Sequence, residues 1–532
     1  MKFIQHITLA TFVCATIAQP VSAAIGIYNW SISSNNPPLP IQISYRLNCP
    51  GTVEIAIKDD VGHSISLDPY SETAGTHTYF WPDNVAGKRY QAEIKATCPA
   101  SGNTGELVPI VPVFTDSKVY GMAVDTCETS PGYGTIYISD VSGSGSIKAY
   151  YADGTPNKIF KPDQTQPETN VLPLGFVCNT PKAPWGISVD EKGNIYVSAA
   201  SSGSVSGIKV FDYLGNNLNL AFPIVSNGNT WLAGVSGTTP DKTEVFETKD
   251  RAVQSIKVGE TSWQTITSDP IISSTVNAKQ IAFEPGGSAF YVALSGTSAL
   301  PNPPNPGVLR YTRNAEGTWV RDDAFLPGLR NQKDKYNYAT AADYVDGVSY
   351  CAKPSSLTCT TSCLWLALNV GASFPGNIAR LKLPDNYQVF KSIGASGRFV
   401  ASDSVGNVVI EFNGTDQNAA WTKWGLYAPG GESSQDIRST DWALPVGTAS
   451  PELIDSISAL LKKSNDSLVE LSNGKVVSAV FAGYFYICET DRSCGIKVKS
   501  STSAVEGDTV KVRGTLQTVD GERVLQDAII VP

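Results

Sequence analysis

The sequence predicts an all-β protein in three parts, the largest of which is a β-propeller. Only 17% of the 532 residues are charged, while 46 are Gly and 33 are Pro, a composition typical of short strands joined by many turns. A degenerate hairpin pattern recurs along the middle of the chain. On both sides of it, alternating apolar and polar residues predict half-buried strands.

The first part, residues 24–103, predicts a small β-sandwich of immunoglobulin type. Residues 41–47 and 52–57 each alternate apolar with polar side chains, and a further strand pattern at 74–81 turns into another at 88–94. The Ala-Gly-Thr-His-Thr…Trp segment that ends at Trp81 resembles the Ig-like modules of flagellar hook-capping proteins and of many secreted bacterial proteins. That resemblance implies a spacer or adhesive unit.

The second part, residues 104–445, carries the repeated hairpin. Its clearest copy runs from Pro184 to Val197, where an Asp…Gly-Asn turn joins two strands and a third strand follows at 207–211. Related copies begin at Tyr120, Gln280 and Arg398, and weaker ones lie around residues 231–258 and 364–381. Their spacing of roughly 45 to 65 residues is the scale of a four-stranded blade with insertions. We therefore expect six blades, with five or seven as alternatives.

The pattern Gly-Ile-x-Val-Asp…Gly-Asn-Ile-Tyr-Val at residues 186–197 resembles the NHL and SMP-30-like β-propellers. Some SMP-30-like members are lactonases that hold a divalent ion with Glu, Asn and Asp at the propeller mouth. The resemblance therefore implies a metal-dependent hydrolase as one possible function. The glutamate-bearing motif expected near the start of a lactonase propeller is not visible in this sequence.

The third part, residues 446–532, predicts one short helix and a small barrel. Apolar residues at helical spacing between Pro451 and Lys462 indicate the helix, and several strand patterns follow. The phrase Gly-Asp-Thr-Val-Lys-Val-Arg-Gly-Thr-Leu at 507–516 resembles the OB-like barrels that close many secreted bacterial proteins. From Ala443 onward nine Lys and Arg stand against eleven Asp and Glu, and the whole chain has a net charge of −9. This balance argues against a nucleic-acid partner, because phosphate binding needs a clustered basic surface.

The first 23 residues predict a cleavable secretory signal. Lys2 precedes an apolar run at residues 7–18, and Val21-Ser22-Ala23 supplies small residues for cleavage after Ala23. The run is shorter than the roughly 20 residues that span a bilayer, and no later run is long enough. We expect a protein without a transmembrane segment that is secreted, periplasmic or held at the cell surface.

An oxidising compartment allows the cysteines to pair. Of the ten, Cys14 leaves with the signal. Three pairs are expected from position, namely Cys49 with Cys98, Cys127 with Cys178, and Cys488 with Cys494. Cys351, Cys359 and Cys363 lie in one insertion where only one pair can form, and a metal site with these three is the alternative.

The propeller contains no histidine, since His6, His63 and His77 all precede it. Mechanisms that need a His base or a His-ligated metal are thereby excluded from the propeller. Four acidic residues recur at equivalent positions of the repeat, namely Asp125, Asp190, Glu284 and Asp403. They could be ligands of Ca²⁺ or Mg²⁺, but the better interpretation is that they form the turns that follow the inner strands.

Trp185 and Trp231 precede inner-strand patterns and are the candidate ligand-binding residues, since aromatic rings at a propeller mouth can stack on a sugar or peptide. Packing between blades is the alternative. We find no catalytic set and expect no cofactor. The preferred interpretation is a secreted, non-catalytic binding protein for an extracellular protein or glycan. A metal-dependent propeller hydrolase and a structural cell-surface component are the alternatives.

Overall fold

The computed structural model describes the greater part of the chain after residue 23. The described residues are 24–34, 41–60, 62–81, 89–100, 106–115, 119–140, 145–161, 167–174, 184, 186–199, 207–220, 222, 231–236, 243–249, 252–266, 276–296, 308–325, 345–351, 362–368, 377–383, 386–389, 397–412, 423–443, 452–465, 467–481, 483–500, 504–519 and 521–531.

A two-sheet sandwich opens the described chain. One sheet has three strands, in the order Ile27–Ser34 (β1), Ile41–Leu47 (β2) and Gly75–Trp81 (β6). The other has the order Ser434–Ser439 (β31), Tyr90–Cys98 (β7), Gly51–Asp59 (β3) and Ser64–Ser66 (β4), with Tyr70–Glu72 (β5) also paired to β3. Every second residue of β2, β3 and β7 is buried, which confirms the alternation expected there and places one core between the sheets.

The edge strand β31 (Ser434–Ser439) comes from the far side of the propeller. It pairs antiparallel with β7, from Ser434 opposite Cys98 to Ser439 opposite Glu93. The predicted propeller range of 104–445 includes these residues, because Ser-Gln-Asp-Ile-Arg-Ser has no apolar alternation that would assign it to the sandwich. In this strand Asp436 is buried and Ile437 is exposed, so the buried side of β31 is polar.

Six sheets form the propeller, and their innermost strands contact one another in a closed ring. The first three blades comprise β9 (Val119–Val124), β10 (Ile136–Asp140), β11 (Ser146–Tyr150) and β12 (Val171–Pro173); β13 (Gly186–Val189), β14 (Ile195–Ala199) and β15 (Gly207–Phe211); and β16 (Trp231–Ser236), β17 (Glu244–Lys249), β18 (Ala252–Lys257) and β19 (Gln264–Thr265).

The next two blades comprise β20 (Val276–Phe283), β21 (Ala289–Gly296), β22 (Val308–Arg313) and β23 (Trp319–Arg321), with a 3-10 turn at Pro285–Gly287; and β24 (Val345–Cys351), β25 (Cys363–Leu368), β26 (Asn377–Lys382) and β27 (Asn386–Val389). The sixth comprises β28 (Gly397–Ser402), β29 (Val408–Phe412), β30 (Lys423–Pro429) and β8 (Leu107–Thr115). Strand β8 precedes the first blade in sequence but closes the last one, so the two ends of the ring are joined by a β-sheet. The expected count of six blades is confirmed.

The C-terminal part is a closed barrel with one short helix. Five strands close in the order β34-β35-β36-β38-β37-β34, with β36 and β38 parallel and the other pairs antiparallel. The elements are β32 (Glu452–Ile454), α1 (Ile457–Leu460), β33 (Leu468–Leu471), β34 (Lys475–Phe481), β35 (Tyr484–Cys488), β36 (Gly495–Ser500), β37 (Thr509–Val519) and β38 (Glu522–Val531). The OB-like class expected from the sequence stays a prediction.

The helix is shorter than the sequence predicts. Residues 452–454 instead form β32, which pairs parallel with β33, and α1 begins only after Ser456. The Ser456 hydroxyl accepts a hydrogen bond from the Ala459 amide and so caps the helix. Across the described ranges no helix is long and apolar enough to span a membrane.

Candidate functional site at the propeller axis

A cavity of about 940 Å³ occupies the axis of the propeller. All six inner strands, β9, β13, β16, β20, β24 and β28, contribute to its wall. Between the first two blades the main chains approach closely, since a Cβ on Gly121 would lie 3.2 Å from the Gly186 Cα. A cavity of this size can hold a side chain or a small ligand.

Polar side chains connect the inner strands of the last three blades. The Gln280 amide nitrogen donates to the Val400 carbonyl at 2.8 Å, and its oxygen accepts from the Val348 amide at 3.2 Å. Ser402 donates from its amide to the Ser349 hydroxyl and from its own hydroxyl to the Tyr350 carbonyl, each at 2.8 Å. These bonds satisfy main-chain groups that face the cavity.

The four recurring acids lie at the ends of inner strands, and each is bound by its own blade. Asp190 accepts from the Lys192 and Asn194 amides, and Glu284 accepts from the Tyr291 hydroxyl and forms an ion pair with Arg310 at 2.9 Å. These contacts support the interpretation of the acids as structural groups.

Asp125 and Asp403 are the two most deeply buried members of this set. Asp125 accepts from the Ser130 hydroxyl at 2.5 Å and from the Cys127 amide, and burial raises the pKa of its carboxyl to about 6. Asp403 accepts from the Asn407 amide at 2.7 Å and from the Tyr28 hydroxyl at 3.2 Å, and burial likewise raises its pKa to about 6. Desolvation disfavours the charged form of both groups.

A metal centre finds no support in the described residues. Within the described ranges there is no group of at least three His, Cys, Asp or Glu side chains that could hold a metal ion. Each acid of the recurring set instead accepts hydrogen bonds from donors of its own blade, and Asp403 also accepts one from Tyr28 of the sandwich. Ca²⁺ takes six to eight oxygen ligands, which requires carboxylates that converge.

The sandwich reaches the same end of the cavity through Arg438 of β31. Its guanidinium binds Asp436 at 3.1 Å and Glu128 at 2.5 Å, and it donates to the Tyr133 hydroxyl at 2.7 Å. The charge also lies 5.0 Å from the centre of the Trp30 ring. Because Glu128 and Tyr133 belong to the first blade, this one side chain ties the sandwich to the propeller beside the mouth.

The mouth is predominantly acidic. Among the described lining residues, two are basic, Lys192 and Arg438, and six are acidic, namely Glu128, Asp190, Glu191, Glu284, Asp403 and Asp436. The Glu128 side chain is 59% exposed, and the Glu191 carboxylate accepts from the Gly286 amide across the mouth at 3.1 Å. This charge favours a ligand with basic groups.

The two candidate tryptophans cannot be placed in this site. Trp185 lies outside the described residues, and Trp231 is the first residue of β16, where only the main chain is described. Their predicted stacking role stays a prediction. Arg438, Tyr133 and Gln280 were not singled out from the sequence, because polar side chains without a motif gave no sign that they meet at the axis.

Among the cysteines, Cys49 and Cys98 lie in the same sandwich core, and Cys351 stands directly opposite Cys363 on adjacent strands. A hydrogen bond with the Cys351 side chain lowers the pKa of the Cys363 thiol. These positions favour the pairs Cys49–Cys98 and Cys351–Cys363.

The other predicted pairs are less clearly placed. Cys178, the expected partner of Cys127, and Cys359 lie outside the described residues, while the Cys127 thiol donates to the Glu191 carbonyl at 2.6 Å. Cys488 faces Gly495, so Cys494 is one register position away from it. All of these pairings remain predictions.

A scan against protein-family models finds none that matches the sequence, and a search of curated proteins finds no match either. Among solved structures, streptogramin B lyase is similar at 12% identity, over 79% of this chain and 96% of that one, with a TM-score of 0.34. A luciferin-regenerating enzyme matches at 12% identity over 60% and 92% with a TM-score of 0.35. Regucalcin from Agrobacterium tumefaciens matches at 11% identity over 60% and 92% with a TM-score of 0.33. At these values the likenesses say nothing about activity, and the propeller assignment rests on the closed ring of six sheets.

Proposed function

We propose that this chain is a secreted, non-catalytic binding protein whose propeller recognises an extracellular protein at the acidic mouth of the axial cavity. The observation that carries the proposal is the charge of the cavity, which has a volume of about 940 Å³ and whose described lining includes six acidic and two basic side chains. A basic segment of a partner protein is complementary to that rim.

The chemistry of the rim supports recognition over catalysis. Both carboxylate oxygens of Asp190 accept hydrogen bonds from its own blade, and the Oε1 atom of Glu284 is bound by Tyr291 and Arg310, which favours a structural role for both acids over that of a base. Glu128 is the exposed carboxylate of the set, and a rim charge of this kind acts mainly on the association rate and on the salt dependence of binding. Secretion of the chain is supported by the signal pattern of residues 1–23.

The test is a binding screen of the mature protein against basic peptides and a glycan array, at two ionic strengths. We expect basic peptides to bind, with affinity that falls as salt rises, and Glu128→Gln to slow association several-fold. Glu54→Gln, on the sandwich sheet and paired with Lys95, is the matched control and should leave binding unchanged.

Binding to glycans only, or equal effects of the two substitutions, would contradict the proposed partner. A lactone and ester screen with added Ca²⁺ or Mg²⁺ tests the hydrolase alternative directly. Turnover that depends on the ion and survives purification would overturn the non-catalytic assignment. Reversible self-association of the purified chain would instead favour a structural cell-surface component.

A further inference from the structure

The segment that follows the predicted cleavage point is held in a buried polar site between the sandwich and the sixth blade. Ala24 is only 5% exposed, and its nitrogen donates to the Asn407 side-chain oxygen at 3.0 Å. Its carbonyl accepts from the side-chain nitrogens of Asn407 at 2.8 Å and Asn48 at 2.9 Å. The main-chain nitrogen and the main-chain oxygen of Ala24 therefore both form hydrogen bonds with side chains.

The next residues continue the same attachment. The Ile25 amide donates to the Ser434 hydroxyl, and the Ile27 amide to an Asp436 carboxylate oxygen, each at 2.8 Å. The Tyr28 hydroxyl donates to Asp403 at 3.2 Å. Residues 24–28 thus contact β31 of the sandwich and the turn that follows β28 of the propeller.

Asn407 connects Ala24 to a buried carboxylate. Its side-chain nitrogen donates to Asp403 at 2.7 Å, while its oxygen accepts from Ala24. The ion pairs among the described residues do not include Asp403, which is almost completely buried. A buried carboxylate without a counter-charge is unfavourable, and a positive charge one side chain away would relieve it.

We propose that cleavage between Ala23 and Ala24 places the new α-ammonium group in this site, where Asn407 binds it one side chain away from Asp403 and the mature amino terminus attaches the sandwich to the propeller. In the cleavage, catalysed by a secretory signal peptidase, water adds across the peptide bond. The Ala23 carbonyl carbon becomes a carboxylate, and the Ala24 nitrogen becomes an amine that is protonated below its usual pKa near 8. The proposal rests on the predicted secretion but not on any ligand of the cavity.

The same turn elsewhere in the propeller supplies a matched control. In the second blade Asn194 donates to Asp190 at 2.9 Å from its side chain and 3.0 Å from its amide. Asn407 makes the corresponding bonds to Asp403 at 2.7 Å each. The two turns differ in that Asn407 also holds Ala24.

The experiment compares two full-length mature proteins, one that begins at Ala24 and one that retains Ala23. We expect the retained residue to lower the unfolding midpoint by at least about 3 °C, since the charge moves away from Asp403. Asp403→Asn should abolish this difference between the two forms, and Asp190→Asn should preserve it. Because each comparison is made within one variant, a general loss of stability in either substitution cancels.

Amine labelling gives an independent measurement. In the form that begins at Ala24, acylation of the α-amine should be slower by at least about tenfold in the native state than in the unfolded state. Sequencing of the secreted protein should find Ala24 first. Equal midpoints for the two forms, rapid native labelling, or a mature terminus at another residue would each overturn the inference. None of these readouts involves cavity binding, so their failure is distinct from failure of the proposed function.

Discussion

Replacing Arg438 by alanine should weaken the attachment of the sandwich to the first blade and lower the free energy of unfolding. Its guanidinium is about 10% exposed and neutralises Asp436, whose side chain is only 6% exposed. The substitution leaves that carboxylate buried without its cation. Removing one partner of a buried pair costs about 3–5 kcal/mol, whereas an exposed pair such as Lys95 with Glu54 is worth about 1 kcal/mol or less.

The double substitution separates charge from packing. Burial raises the pKa of Asp436 even with Arg438 present, so the charged carboxylate is the member of the pair that burial disfavours. In Arg438→Ala with Asp436→Asn, no charge is stranded and the Ile27 amide can still donate to the new amide oxygen. We expect the total cost to fall to about 1–2 kcal/mol, which corresponds to a strong coupling between the two sites.

Guanidinium unfolding followed by tryptophan fluorescence measures these differences, since Trp30 lies against Arg438. Lys95→Ala is the control on the same sheet. A free-energy cost of Arg438→Ala no larger than that of Lys95→Ala would contradict this expectation, as would costs of Arg438→Ala and Asp436→Asn that simply add.

Three further predictions test the turns and the cysteines. The folded pKa of Asp125 is raised from 3.8 to about 6, so the stability that its protonated form contributes is fully present below pH 3.8 and is lost as pH rises through 6. Asp125→Asn should therefore gain about 2.4 kcal/mol on the wild type between pH 4 and 7 in denaturant titrations, and a constant difference would contradict this. Gly193→Ala should destabilise the protein far more than Gly286→Ala. Both glycines have a positive φ, but only at Gly193 would a Cβ meet neighbouring atoms, 2.1 Å from the Ser130 hydroxyl. Equal unfolding midpoints for the two variants would refute this prediction. Peptide mapping without reductant should find Cys49 joined to Cys98, and free thiols at both positions would contradict the pairing.

Local sequence patterns predict the all-β class and a propeller of six blades, with five or seven as alternatives, and they favour turn formation as the role of the recurring acids. Alternation in residues 41–47 and 52–57 fixes which side chains face the sandwich core, because side chains of a strand alternate between its two faces. The Asp…Gly-Asn turn at Asp190 is equally local, since Gly193 has a φ of +82° and Asp190 binds the amides of its own turn. Such features depend on neighbours along the chain and can be read from it.

The contacts between the sandwich and the propeller depend on the closed tertiary fold instead. Strand β31 lies more than 330 residues from its partner β7, and its polar sequence carries no strand alternation. Arg438 and Glu128 are 310 positions apart in the sequence, and Ala24 and Asn407 are 383 positions apart. Their contacts arise because the ring of blades closes and returns the chain to the sandwich. Pairings of this kind depend on the closure of the whole fold, and no local pattern of residues encodes them.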